Sequence, residues 1–445
     1  MSDRRAVAIL LTAVGIVYLN ALYGSFQFDD YNVIVHNPAV HSWGAWLHSM
    51  PGIRPLLKLS YVLSWSAGMG ASGFLLINVL CHGANVLLVY ALAVRWSGTH
   101  GPRDAAPRAV GLAAALLFAL HPANSEAVTY ISGRSVSLMA TAYLGSLLIY
   151  LRGRERESRA LAGLASPAVF LAALAVKETA WTLPLALLLW EAARPSGGLR
   201  EGFRRTWPHW ATLALGATAM LALPGYRRLL EVSLATRSLA EHLLTQIGGQ
   251  FYLLTQPLLL LRLNIDPDLP VHTTVTDGLL LQGAILAGLV VLGLMQLRHR
   301  PWLGVGLLWF FLHLLPTNAM LPRLDVANDR QLYLAMIGPG FLVAVTLPRI
   351  PWRSARWGVA AALLVALGAA TVLRNHEYRS EVALWEATAR SSPGKARAWN
   401  NLGYAHQLAA NHEAARQAYL RALQLDPGHP KARANLDALP PRQTP

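Results

Sequence analysis

Apolar runs of roughly 15–25 residues recur along nearly the whole chain, each long enough to cross a hydrocarbon core of about 30 Å. That pattern leaves few folds open. Inside lipid every backbone N–H and C=O must be satisfied, and separate apolar runs do so as helices. Candidate spans are 6–23, 71–94, 109–121, 135–151, 160–176, 180–193, 208–224, 277–297, 301–317, 330–348 and 357–373. Only 14% of the 445 residues are charged, against about 25% in an ordinary soluble domain. The charge that would coat two or three soluble domains is missing, which excludes a soluble enzyme, and the apolar content excludes a disordered chain. The expected fold is all-α: a polytopic membrane bundle of about eleven crossings.

The formal charge of +15 raises nucleic acid as a partner, but its distribution points to a membrane. Nearly half of the 38 Lys and Arg residues fall in the N-terminal tail and in the connections 94–108, 152–159, 194–207, 298–300 and 349–356. Short basic connections on alternate sides are what cytoplasmic loops carry. Segment 246–263 is also apolar but is interrupted by Pro257. Counting it as a crossing would move Arg298, Arg300, Arg349, Arg353 and Arg356 to the wrong side, so it reads as re-entrant or interfacial. The N-terminus is then cytoplasmic and the C-terminal tail extracytoplasmic. Ala6–Leu22 reads as an uncleaved first span rather than a signal peptide. Cys81 is the only cysteine, so no internal disulfide framework exists.

This parity gathers the acids on the outer side: Asp29 and Asp30 after the first span, Glu126 after the third, Glu178 after the fifth, and Asp325 and Asp329 before the tenth. Beside them fall Arg54, Lys58, Arg134, Lys177, Arg323 and Arg330. Ionisable groups at a membrane are costly and mark function by default. A mixed-charge pocket there suits a phosphate-bearing lipid and a nucleophile that needs a base. Asp29-Asp30 lies in the loop 24–70, followed by Asn37-Pro38 and Arg54-Pro55. One or both carboxylates should touch a cation; the plainer reading is a helix cap or a bond to Arg54. His121-Pro122 leads to Glu126 and to Arg134, whose guanidinium fork matches phosphate oxygens or else reaches the interface. His121 and Glu126 are five apart, not a helical metal spacing, and no metal is expected from them. Lys177-Glu178 either serves the pocket or neutralises itself. Arg330 either holds a leaving phosphate or anchors the tenth span with Tyr333. Asn78, His82 and Asn85, on one face of the second span, are expected to bond between helices.

Residues 376–439 are different in kind: polar, Ala-rich and helical in period. Trp399, Leu402, Gly403, Ala415, Tyr419, Ala422 and Pro427 fit the 34-residue tetratricopeptide pattern, with His406 where Tyr is usual. Trp385 and Pro393 stand 34 residues before Tyr419 and Pro427, so a half-repeat precedes it. One and a half repeats are few for independent stability, so the tail is expected to lean on the membrane domain or on a partner. The organisation read here is a membrane domain over 1–375 and an extracytoplasmic repeat tail over 376–445.

The order of these blocks resembles the GT-C superfamily of polyprenyl-phosphate-sugar-dependent glycosyltransferases. Within it, the chain is most similar to the transmembrane and tetratricopeptide-repeat O-mannosyltransferases. The likeness rests on Phe28-Asp29-Asp30 with Asn37, Arg54-Pro55, Asn78 through His82, His121-Pro122 with Glu126, Ser132-Gly133-Arg134, Lys177-Glu178, and Arg330 with Leu332-Tyr333-Leu334. Asp329 stands where the family has a glutamate before the late Arg, and the repeat array is shorter than in animal relatives. The resemblance implies transfer of a hexose such as mannose from a polyprenyl-phosphate donor to Ser/Thr hydroxyls of exported proteins, by an inverting displacement. It implies Asp29 as base with Asp30 beside it, and a donor-binding set of Arg54, His121, Glu126, Arg134, Lys177, Glu178 and Arg330. No cofactor is expected, and the composition suggests a bacterial inner membrane. Two other readings stay open: a non-catalytic scaffold recruiting partners through the repeat, and a glycosyltransferase acting on lipid-linked glycans.

Overall fold

The computed structural model describes residues 2–102, 105–194, 197–257, 263–316, 325–349 and 353–441. The described residues form helices and connections without strands. Five helical stretches are long and apolar enough to cross a membrane: Asp3–Tyr23, Ala71–His100, Ile131–Glu155, Asp277–His299 and Trp357–Glu377. A pair bent by 53°, Asp329–Ala335 with Ile337–Arg349, makes a sixth if it is one span, and Pro107–Leu120, Leu161–Val176 and Pro301–Leu315 are shorter apolar helices. By length and composition the described residues thus supply five or six spans rather than the eleven expected. Several expected spans are short helices whose ends are Pro, Gly or polar turns. Segment 246–263 begins inside the helix Leu239–Thr255, and its residues 258–262 lie outside the described residues.

Helix Ala71–His100 sets the long dimension, about 45 Å at 1.5 Å per residue. Near its end Arg95 meets Glu155 at 3.0 Å. The neighbouring basic connections meet there too. Arg108 bonds Asp3, Arg154 and Arg205 both bond the buried Glu191, and Arg298 donates to the Gly197 carbonyl. The segments expected to share one side of the membrane are therefore joined at one end of the bundle. Near the start of the same helix, Asn78 donates to the carbonyls of Tyr130 and Ile131.

Asn78, His82 and Asn85 bond across helices, as their spacing predicts. The Ala119 carbonyl can only accept, so His82 Nε2 carries the proton given to it. His82 Nδ1 then accepts from the Tyr333 hydroxyl at 2.8 Å, and Asn85 donates to the same hydroxyl.

The stretch expected to hold polar groups at the outer surface is instead a plug. Every residue from His121 to Ser137 is buried. The low-dielectric interior demands partners, and some of the segment's polar groups find them: Asn124 donates to the Phe118 carbonyl and Thr129 to Asn375.

The tail packs as the repeat pattern predicts. Gly403 lets helices Ala396–Leu408 and His412–Leu425 approach, since a Cβ there would lie 2.6 Å from the Tyr419 ring. Trp385 fills the matching position one repeat earlier and is 2% exposed. The tail leans on the membrane domain. Asp266 accepts from both Lys395 and Arg397, Asn264 donates to Ser392, and the Trp385 ring stands edge-on to Phe28 at 5.1 Å.

Candidate active site

Phe28 precedes the acidic pair in a left-handed conformation, φ +45°, and Arg54 takes φ +49°. Such backbone costs about 1–2 kcal/mol for residues with a Cβ and gathers at functional sites. Both strained residues border the loop 24–70 motifs.

The two aspartates differ. Asp30 is fully buried, and its carboxylate accepts from the Gln27 N–H at 3.0 Å and from the Ser132 N–H at 2.8 Å, with the Ser132 hydroxyl as a third donor. Burial pushes its carboxyl up to about 7, against the pull of the Ser132 and Gln27 bonds. Asp30 is thus held by neutral donors and does not hold Arg54. Asp29 is only partly buried, and its N–H donates to the Tyr130 hydroxyl at 3.0 Å. Asp29 is thus the partly open carboxylate of the pair, and Asp30 is the one that fixes the loop.

Arg54 closes a two-bond ion pair on Glu178, with Nε–Oε2 at 2.9 Å. Burial would raise Glu178, but Arg54 and Lys177 overcome it and hold the carboxyl at about 2. Glu126 is buried and accepts from the Arg330 N–H at 2.9 Å, while the Arg330 side chain reaches it at 3.3 Å. Burial raises the Glu126 carboxyl and the Arg330 charge opposes the rise. Arg330 also feels the charges of Asp325 and Asp29, which ties the cation to the acidic loop.

Lys177 and Arg330 line one cleft, with Thr179, His313, Asn328 and Gln331 as its other polar walls and Val136, Met139 and Leu334 as its apolar ones. The other five expected donor ligands do not line it: Arg54 and Glu178 pair with each other, Glu126 holds Arg330, and Arg134 and His121 are engaged elsewhere. Arg134 is fully buried and gives its guanidinium to Asn78, Ser60, Ser64 and the Phe74 carbonyl, between the Tyr61 and Phe74 rings. No face of it is open to a phosphate; it ties the first loop to the plug. His121 accepts from the Ala123 N–H and donates to the Pro257 carbonyl, which makes it a local brace.

His313 was not among the residues singled out from the sequence. Its signal was a lone imidazole in the apolar run Trp309-Phe310-Phe311-Leu312-His313, the kind of intramembrane polar group that marks a site. Tyr130 and Ser132 were legible only as part of the plug motif, and their bonds to the acidic pair depend on tertiary contact.

A tetratricopeptide repeat model matches residues 396–429. A protein O-mannosyl-transferase of Caenorhabditis elegans is 24% identical over 96% of this chain and 63% of its own length. Mouse protein O-mannosyl-transferase TMTC3 is 24% identical over 97% of this chain and 52% of its own. Drosophila protein O-mannosyl-transferase Tmtc1 is 35% identical over 41% of this chain and 22% of its own. No solved structure matches the chain. The chain spans about half to just under two thirds of the length of the first two relatives. The two likenesses at 24% identity run nearly end to end, so the chain is similar over most of its length to protein O-mannosyl-transferases of the TMTC kind and carries a tetratricopeptide repeat.

Proposed function

We propose that the protein is a GT-C glycosyltransferase that moves a single hexose, mannose as the first candidate, from a polyprenyl-phosphate donor to Ser/Thr hydroxyls of exported proteins. The observation that carries this reading is the juxtaposition of a partly open carboxylate, Asp29, with a cleft whose cations are Lys177 and Arg330. Asp29 takes the proton of the attacking hydroxyl as its oxygen bonds to the anomeric carbon. The bond from that carbon to the phosphate oxygen breaks on the opposite face, and its electron pair leaves with the polyprenyl phosphate. Lys177 and Arg330 stabilise the charge that grows there. Glu126 orients Arg330, and the Arg54–Glu178 pair braces the loop against the Lys177 turn. The reading calls on no metal. The chemistry belongs on the outer face of a bacterial inner membrane, with the tail outside, because the basic connections meet at the other end of the bundle.

The test is label transfer from polyprenyl-phosphate sugars to an envelope protein extract by purified wild type and Asp29→Asn. A fall of about 10²–10⁴-fold in the variant with donor binding kept is expected for loss of a general base. Equal transfer by the variant would reject Asp29 as base. Transfer by neither protein, with no donor binding, would favour the scaffold reading.

A further inference from the structure

We propose that His313, Asn328 and Gln331 form the sugar-reading wall of the cleft, taking hydroxyls of a hexose while Lys177 and Arg330 take its phosphate; this rests on the glycosyl-transfer reading above. His313 is 8% exposed and Asn328 1% exposed. The Trp309 carbonyl can only accept, so the proton of His313 lies on Nδ1, which donates to it at 2.9 Å. His313 Nε2 therefore presents a lone pair, and it has no hydrogen-bond partner among the described residues. Asn328 gives its Nδ2 to the Asp325 carboxylate, which fixes the amide so that Oδ1 is the remaining atom. That oxygen, and both amide atoms of Gln331, likewise lack partners among the described residues.

The chemistry of these atoms selects the ligand group. Phosphate diester oxygens only accept, so they cannot bond a lone pair on His313 or on Asn328. A sugar hydroxyl can donate to both, and Gln331 can accept from one hydroxyl and donate to another. Buried polar atoms left unpaired are costly, and a ligand that pairs them recovers that cost. The His313 ring is held by Trp309, with centroids 4.4 Å apart, and by Tyr143 edge-on at 5.3 Å. Its lone pair is thus held in a fixed direction rather than being free to swing. Val136, Met139 and Leu334 give the C–H face of a pyranose an apolar surface. The cleft then has a cationic part for the phosphate and an accepting part for hydroxyls.

The experiment compares binding of mannosyl-phosphoryl polyprenol and of sugar-free polyprenyl phosphate to the full-length protein, wild type against His313→Phe, which keeps ring and volume but removes the lone pair. The expected result is about tenfold weaker binding of the mannosyl lipid and a matching rise in KM, with unchanged binding of the sugar-free lipid and little change in kcat. Wild-type protein alone supplies a second measurement, needed if the variant fails to fold. Among mannosyl donors each lacking one ring hydroxyl, at least one should bind about tenfold more weakly. Binding of the mannosyl lipid by His313→Phe as tight as by wild type, or equal binding of all deoxy donors by the wild type, would overturn this inference and leave glycosyl transfer standing. Binding of neither lipid by the wild type would overturn both.

Discussion

Asp30 illustrates how burial assigns different work to adjacent, chemically identical side chains. Its carboxyl, raised by burial to about 7, binds more protons in the folded protein than in the unfolded chain between about pH 4 and 7. Stability from this group is therefore fully present at low pH and is lost as pH rises through that window, by at most about 1.4 kcal/mol per pH unit. Asp30→Asn removes the titration. It also places an amide N–H against the donors Gln27 or Ser132, so the variant should be less stable than wild type at pH 5. The melting-temperature gap between the two should narrow as pH rises to 8. A gap that stays constant from pH 5 to 8 would show that Asp30 does not titrate there. The sequence showed the acidic pair and its cations but not their pairing. Arg54 choosing Glu178 over Asp30, and Arg134 turning wholly inward, depend on contacts between segments 56 to 124 residues apart, which no local pattern encodes.

The repeat tail shows the same division at the level of elements. Its helices were legible because Gly403, Tyr419 and Ala422 keep a fixed spacing. Its docking on the membrane domain was expected only in outline, from the shortage of repeats. The partner surface, Asp266 with Phe28, could not be read in advance because neither residue belongs to a motif of the tail. The Asp266 side chain is 4% exposed, while those of Lys395 and Arg397 are 20% and 36% exposed. The consequences of breaking this contact should therefore be unequal. Replacing both Lys395 and Arg397 by Ala strands a buried carboxylate, at a cost of about 3–5 kcal/mol. Asp266→Ala leaves two cations that can turn to water, and should cost clearly less. Thermal melting of the two variants checks the order, and equal losses would mean that Asp266 is hydrated in the docked tail. Because Trp385 also packs on Phe28, removing 376–445 disturbs the acidic loop as well as any acceptor docking. Whether an acceptor protein uses the tail is better read from exposed positions such as Leu408 and Leu420.

At the scale of the whole molecule, charge and chemistry separate along the bundle. The alternation of basic connections was legible because positive charge in short loops follows membrane sidedness. The number of crossings was less so: among the described residues five helices, or six with the bent pair, are long and apolar enough to cross, and others such as Pro107–Leu120 are shorter. The structure links Asp3 to Arg108, Arg95 to Glu155, and Glu191 to Arg154 and Arg205, so these segments meet at one end of the bundle. The loop 24–70 joins Glu178 through Arg54, and Ser132 through Asp30, at the start of helix Ala71–His100. Ser42 and Arg156 are exposed residues of the two sets. In a Cys81→Ser background, a membrane-impermeant thiol reagent applied to intact spheroplasts should label Ser42→Cys and leave Arg156→Cys unlabelled until the cells are lysed. The reverse pattern would place Asp29 and the cleft in the cytoplasm and overturn the proposed transfer at the outer face. Labelling of both positions in intact cells would break the common sidedness from which the reaction's location is argued.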